Sequence, residues 1–561
     1  MAFTKQKQPN FVIIVADDLG FTDTSAFGGE IDTPNLLKLA ESGVRLTDFH
    51  TASACSPTRS MLFSGTDNHI AGLGQMDEFA RQIPELFKDK PGYEGYLNFK
   101  VAALPEILND AGYYTFQSGK WHLGLQPDYW PSKRGFEKTF TLLPGAGNHY
   151  KYFPKDKETG DYSIFMTPIF QENDKKIDPD SLPEDYYSSD YFTDKFLEQY
   201  EDKQRDDRPF LGILTYTAPH WPFQAPDELI SKYDGVYDDG PAVLREKRLC
   251  NAIKLGIIPD GVEPHQVETQ REKPWFKLTP REQKLEAKIM QVYAAMVDKL
   301  DQNIGRIIKT LEEKNELDNT FILFMSDNGA EGMMMEALPT QSHKFEEFVK
   351  KDYDNSYDNI GKGNSFVWYS DQWAQAATAP AYMYKMWASE GGIRCPLIVH
   401  HPSLIHKTEV KHGFTTVMDI LPTILDLAGV SHPGRTFKGR EVVDVRGKSW
   451  VPYLKGEIDH VHDEETVTGW ELFAQQAIRK GSYKALFIPK PMGPHKWQLF
   501  NLKEDPGEIY DLAEKEPRKL EEMLDYWSVY VAETGLVECS DEFYKQLNAV
   551  YSPTEIPDFT N

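Results

Sequence analysis

Phe11-Val12-Ile13-Ile14-Val15-Ala16-Asp17-Asp18-Leu19-Gly20 is the stretch from which the architecture follows. An unbroken apolar run rich in β-branched residues has the pattern of a strand buried on both faces, and it stops abruptly on two carboxylates. Strand and helix alternate outward from it. Thr33-Pro34 opens a short helix, Thr33 as cap and Pro34 in the first turn, which Gly43 closes. Leu104-Pro105 begins a helix ending near Gly112; Tyr113 to Ser118 and Phe210 to Tyr216 read as strands. A long helix is expected over about Glu286 to Glu313, where Tyr293, Met296, Val297, Leu300, Ile304, Ile307 and Leu311 repeat at three and four residues. Phe321 to Met325 follows as strand. The alternation predicts an α/β fold: a large mixed, mostly parallel sheet flanked by helices.

Beyond about residue 440 the texture changes. Ala485 to Ile488 and Trp497 to Phe500, split by a Pro/Gly-rich turn, predict an antiparallel sheet, and Pro517 begins a last helix through about Val531. The expected division is a catalytic α/β domain over 1–440 and a smaller α+β domain over 441–561, in keeping with a length of 561 residues, more than one core usually supports. Two polar stretches, about Asp227 to Gln283 and Glu331 to Gln375, show no simple pattern and are read as insertions lining or covering a site.

The formal net charge of -26 argues against nucleic acid and anionic membrane surfaces as partners. It does not exclude a small anionic substrate, because salt screens the distant field within about 10 Å and a local nest of cations still binds. Four scattered cysteines, Cys55, Cys250, Cys395 and Cys539, indicate neither a disulfide framework nor a thiolate zinc site. All but Cys55 are read as small buried apolar residues. With no apolar segment of membrane-spanning length and no leader pattern, the expectation is a soluble cytoplasmic protein, a monomer by default.

Four strand ends deliver polar residues to the side of a doubly wound sheet where active sites form: Asp17-Asp18, Lys120 with His122, His220, and Asp327-Asn328. One Asp at a strand end is most often a helix cap, and one His a packing residue. Two adjacent carboxylates fit that reading poorly, since like charges repel unless a cation lies between them. Three carboxylates and an amide make an all-oxygen donor set suited to Ca²⁺, with Mg²⁺ the other hard ion, and unsuited to zinc. Trp121, Trp221 and Met333-Met334-Met335 are read as packing.

Cys55-Ser56-Pro57-Thr58-Arg59-Ser60 completes the pattern. Taken with Asn10 to Gly20, Gly119 to Gly124, Ala218 to Pro222, Ser326 to Gly329, Gly391-Gly392-Ile393-Arg394, Asp419 to Gly429 and Asp505-Pro506-Gly507-Glu508, it resembles the type I, formylglycine-dependent sulfatases of the alkaline phosphatase superfamily, bacterial arylsulfatases above all. The resemblance implies that a formylglycine-generating enzyme oxidises Cys55 to formylglycine, directed by Cys55, Pro57 and Arg59. Thr58 departs from the Ser or Ala common there, outside the directing positions. It further implies a calcium ion on Asp17, Asp18, Asp327, Asn328 and the modified Cys55, and a small-molecule sulfate ester as substrate. One hydroxyl of the aldehyde hydrate would attack sulfur, aided by the metal and Asp327. His220 or Lys385 would protonate the leaving oxygen, and His122 would take a proton from the second hydroxyl to expel sulfate. Arg59 would steady the hydrate, while Lys120, His220 and Lys385 neutralise the sulfuryl oxygens; Lys385 is placed by Tyr384-Lys385-Met386 before Gly391-Gly392. Two rival readings are a phosphonate or phosphate monoester hydrolase of the same superfamily and a non-catalytic calcium or anion-binding protein. Asn328, where related phosphonate hydrolases tend to carry His, favours the sulfatase.

Overall fold

A computed structural model of the chain describes residues 8–538, apart from 82, 164–165, 204–206, 270–272, 334–341, 406–407 and 491. Its centre is an eleven-stranded sheet of β1 (Asn10–Ala16), β2 (Val44–His50), β3 (Tyr114–Lys120), β4 (Lys138–Leu142), β5 (Phe170–Glu172), β6 (Lys175–Ile177), β7 (Phe210–Thr215), β8 (Thr320–Ser326), β9 (Arg394–His400), β10 (Glu409–Lys411) and β11 (Thr415–Thr416). The order is β10-β2-β9-β8-β1-β7-β3-β4-β5-β6, with β11 beside the end of β2. β8, β1, β7, β3 and β4 are mutually parallel, whereas β9 runs antiparallel to both β8 and β2.

Every residue of β1 is buried. Val12, Ile14 and Ala16 enter the core on one face, with the long helix Pro280–Glu313 and the helix Ser188–Lys203. Phe11, Ile13 and Val15 enter the other, with the helices Cys55–Ser64, Leu104–Asp110 and Ile420–Ala428. Alternation across a strand turns one apolar run into the floor of two cores, at about 1.5–3 kcal/mol for each large side chain fully buried. The chain then enters the sheet's neighbours on opposite sides of β1, so β7 and β8 both end beside Asp17-Asp18, the crevice where open α/β sheets bind ligands.

Several local expectations shift. The long helix starts at Pro280, because Thr279 and Glu282 form a capping box that continues it past its polar first turns. Thr33 does not cap the helix Pro34–Glu41; its hydroxyl accepts from the Ser25 amide instead (2.9 Å). The first polar stretch carries the helices Asp227–Lys232 and Pro241–Lys254, and the second the helices Ser342–Asp352 and Asp371–Ala377. Cys250, expected inside, lies exposed on the outer face of the Pro241–Lys254 helix; Cys395 is buried as expected, and Cys539, Met334 and Met335 lie outside the described residues. The small antiparallel sheet has four strands, Val467–Leu472, Gln475–Lys480, Tyr483–Phe487 and Trp497–Asn501, and the last helix, Pro517–Thr534, packs on it. No helix among the described residues is long and apolar enough to cross a membrane.

Candidate active site

At the ends of β1 and β8 the backbone itself locks the acids together. The Asp327 amide donates to the Ala16 carbonyl (3.2 Å), and the Asp18 amide donates to Asp327 Oδ1 (3.2 Å). Asp18 takes a positive φ of 67°, a region that Asp tolerates better than most residues and that recurs at functional sites. Gly119, one residue before Lys120, lets β3 approach β7: a Cβ there would stand 1.9 Å from the Thr215 carbonyl oxygen. His122 follows at φ 57°.

Cys55 is the first residue of its helix and is 1% exposed, with Sγ 3.6 Å from Asp18 Oδ1. One potential ligand atom from each of Asp17, Asp18, Cys55 and Asp327 falls within 4.8 Å of the others. Three cations surround this group. Lys120 Nζ reaches both oxygens of Asp17 (2.9 and 2.7 Å). Arg59 bonds Asp327 Oδ2 twice and gives a third bond to the Lys120 carbonyl (3.0 Å). Lys385 Nζ bridges Asp18 Oδ2 (2.9 Å) and Glu331 Oε2 (2.8 Å).

The charges respond accordingly. Burial and the neighbouring Asp17 push the Cys55 thiol well above its ordinary value, so as cysteine it is neutral. Burial and repulsion from Asp17 raise Asp327 to about 6, while Asp18, against its burial, is held low by Lys385, Lys120 and the Asn328 amide. Despite burial, Asp18, Cys55 and Glu331 hold Lys385 well above its ordinary value. Burial draws His220 well below its usual range. Its Nδ1 faces the Trp221 carbonyl (2.7 Å), which can only accept, so a neutral ring points a bare Nε2 at Asp18 Oδ2 3.4 Å away.

Two observations favour a cation among these groups. Two acceptors, His220 Nε2 and Asp18 Oδ2, face each other without a proton to share. Asn328 gives Nδ2 to Asp18 Oδ1 (2.7 Å) and to the Gly329 carbonyl (2.9 Å) and leaves its buried Oδ1 without a partner; giving up those two bonds by rotating the amide would add an oxygen to the three carboxylates. The set fits Ca²⁺ chemistry.

All the expected site residues except one thus converge on Asp18 and Asp327. The exception is His122, whose recorded contact is Nε2 to Glu78 Oε1 (3.0 Å), with Nδ1 buried and unpartnered. Burial lowers its pKa and the Glu78 charge opposes the fall. Trp121 is packing, its indole N–H on the Tyr129 carbonyl (3.0 Å). Trp221 packs on Phe366 (5.8 Å) from the second polar stretch, beside His220. Glu331 and Glu78 escaped the reading of the sequence. Glu331 stands four residues after Asp327 and so had a positional signal; Glu78 lies on the four-residue helix Asp77–Ala80, where nothing distinguishes it from a solvated acid.

The Sulfatase family profile matches residues 9–430, and the chain belongs to that family, enzymes of the alkaline phosphatase superfamily that hydrolyse sulfate esters. A second profile, N-sulphoglucosamine sulphohydrolase C-terminal, matches residues 381–526. An uncharacterized sulfatase of Schizosaccharomyces pombe is 52% identical over 559 residues, covering 99% of this chain and 100% of the relative. An arylsulfatase of Klebsiella aerogenes is 36% identical over 449 residues, covering 79% of this chain and 92% of the relative. Among solved structures, Ps i-CgsB in complex with k-i-k-neocarrahexaose shares the fold at TM-score 0.66 and 21% identity, over 97% of this chain and 98% of that one.

Proposed function

We propose that this sulfatase hydrolyses small aryl or alkyl sulfate monoesters to the phenol or alcohol and inorganic sulfate, with Cys55 matured to formylglycine by a formylglycine-generating enzyme. In this reading Ca²⁺, or Mg²⁺ as the other hard ion, is held by Asp17, Asp18, Asp327 and Asn328 and touches the modified Cys55. The observation that carries it is Cys55 Sγ at 3.6 Å from Asp18, at a helix start ringed by Arg59, Lys120 and Lys385. When present, the hydrated aldehyde and the ion supply a hydroxyl of lowered pKa as nucleophile and a second hydroxyl whose deprotonation releases sulfate.

The chain's own groups do the rest. Lys120 and Lys385 are buried, charged and already fixed on carboxylates, so they can meet the sulfuryl oxygens with little reorganisation. Lys385 Nζ, charged as it stands, or His220, once its Nε2 has taken up a proton, donates to the leaving oxygen. His122, with Nε2 turned to Glu78, keeps Nδ1 as the proton acceptor. Arg59 holds Asp327 and the start of its own helix against the end of β3. The expected division remains 1–440 for catalysis and 441–561 as a brace, supported by Lys484 on Glu390 (2.9 Å) and Trp470 on the Thr51 carbonyl (2.9 Å). Among the described residues Cys55, Cys250 and Cys395 are unpaired, which supports a reducing, cytoplasmic setting, and a monomer remains the expectation.

The test has two parts. The peptide containing Cys55, isolated from the native host without aldehyde-reactive reagents, should have the mass of an aldehyde or its hydrate; an active enzyme with an unmodified thiol would overturn the nucleophile. Matched aryl sulfate and aryl phosphonate esters should then be turned over in favour of sulfate. A phosphonate preference would transfer the assignment to the phosphonate hydrolases, and binding without turnover of either would leave the non-catalytic reading.

A further inference from the structure

A cavity of about 370 Å³, with polar and apolar groups mixed in its wall, opens between the end of β2, the start of β9 and the small antiparallel sheet. Its lining contains none of the active-site groups. Arg394, the first residue of β9, lies on its wall and is 9% exposed. Nε donates to the Thr47 carbonyl (2.6 Å), and the guanidinium stacks 4.6 Å from the centre of the Phe21 ring. Its four Nη hydrogens meet no acceptor among the described residues. The same Thr47 holds a second group: its hydroxyl lies 2.8 Å from His412 Nδ1, and His412 Nε2 has no hydrogen-bond partner among the described residues.

The surrounding charges show why Arg394 is left over. Asp48 is engaged by Arg479 through both oxygens (3.3 and 2.8 Å), and Arg479 is fixed further by the Gly481 carbonyl and stacks on Phe414. Glu390 is taken by Lys484 (2.9 Å) and His50 (2.8 Å). Asp48, His50 and Glu390 lie close enough together to suggest a metal site, but Arg479 and Lys484 already neutralise both acids. What remains is a cation nine-tenths buried that no carboxylate among the described residues bonds directly: burial presses on its charged form, Asp48 and Glu390 oppose that from beyond hydrogen-bond reach, and Asp463 and Glu464 share the cavity wall. A planar fork of unused N–H donors anchored at one end is the geometry that takes two oxygens of an oxyanion side by side.

We propose that this cavity is a binding site for a small oxyanion of the sulfate or phosphate class, held by both Nη groups of Arg394, with His412 as the neighbouring donor. Two sources share the chemistry: free inorganic sulfate, and a sulfate or phosphate group carried on a larger molecule. The site is independent of turnover, so its failure and that of the proposed esterase activity are separable.

The test uses the full chain and selenate, an anomalously scattering stand-in for sulfate. Crystals soaked in sodium selenate should show an anomalous peak within hydrogen-bond reach of Arg394 Nη, besides any peak near Cys55. A peak near Cys55 with none at Arg394 would overturn the proposal. In solution, calorimetric titration of wild type with sodium sulfate should reveal a binding event that Arg394→Gln weakens at least about tenfold and Arg394→Lys, which keeps the charge but not the fork, recovers only in part. If the variants melt like wild type and bind sulfate equally well, the proposal falls. Should the glutamine variant fail to fold, the selenate map of wild type still decides. Free sulfate is the source if it binds as tightly as a sulfated monosaccharide; tighter binding of the saccharide at the same Arg394-dependent site assigns it to the larger molecule.

Discussion

Arg59 and Asp327 meet on a single oxygen: Nε at 3.0 Å and Nη2 at 2.8 Å both bond Oδ2, leaving Oδ1 for the Asp18 amide. Because both residues are almost wholly buried, the pair is a strut between the Cys55–Ser64 helix and the end of β8. Removing the arginine strands a carboxylate in the interior. Arg59→Ala should lower the unfolding free energy by about 3–5 kcal/mol, read from urea denaturation, and abolish hydrolysis. Arg59→Lys should recover part of the stability while losing one of the two bonds.

Calcium should act as a structural ligand as well as a chemical one. Chelation should lower the melting temperature and stop turnover, and added Ca²⁺ at 100 times its dissociation constant should restore about 2.7 kcal/mol. In Asp18→Asn the calcium-dependent shift should largely disappear in a melt followed by circular dichroism. A chain whose melting is indifferent to both chelator and Ca²⁺ would contradict the ligand set.

Glu78 should matter to turnover through His122. Glu78→Gln should lower kcat by about 10-fold or more and His122→Ala by about 10²–10⁴. The double variant should be no slower than His122→Ala, since groups acting as one unit are not additive. Steady-state kinetics on the three proteins check this; additive losses would show that Glu78 acts on substrate by itself.

A different histidine governs alkaline stability. His69 is buried between Asp67 (2.8 Å) and Glu471 (3.1 Å) of the small sheet, and although burial alone would lower its pKa, these acids raise it to about 9. A raised pKa favours the charged, folded form: its contribution is complete below the unfolded value near 6.5 and is lost as pH rises through 9. The loss should be on the order of 3 kcal/mol between those limits. Unfolding free energies of wild type and His69→Asn, measured across that window, should converge as pH rises.

Much of this was legible because strands speak plainly. A double-buried strand such as β1 carries no polar residue between Asn10 and its end, so Asp17-Asp18 stood out; position at or just past a strand end marked Lys120, His220 and Asp327-Asn328 as well, although β3 itself carries Thr115, Gln117 and Ser118. Lys385 was readable only through its likeness to a family motif, since it follows no strand; it reaches Asp18 across 367 residues by way of a loop in which Met383 and Met386 have positive φ. Glu78 was not legible, and Glu331 offered only its place four residues after Asp327, because a carboxylate's task is set by which cation the tertiary fold brings to it. The helix Pro241–Lys254 was missed for a related reason: it meets the core with Leu244, Leu249 and Ala252 but also with Arg245 and Arg248, whose buried guanidinium groups broke the apolar rhythm.

The burial of Cys55 sets a deadline. With 1% of its surface exposed and a helix, Asp18 and Arg59 folded over it, its sulfur is closed to any enzyme once the sheet has assembled. On the proposed reading, the competence of each molecule is therefore fixed during its synthesis: the nascent segment around Cys55 must be oxidised while β8, some 265 residues behind it, is still to be made or docked, and a copy that misses that interval is permanently inert.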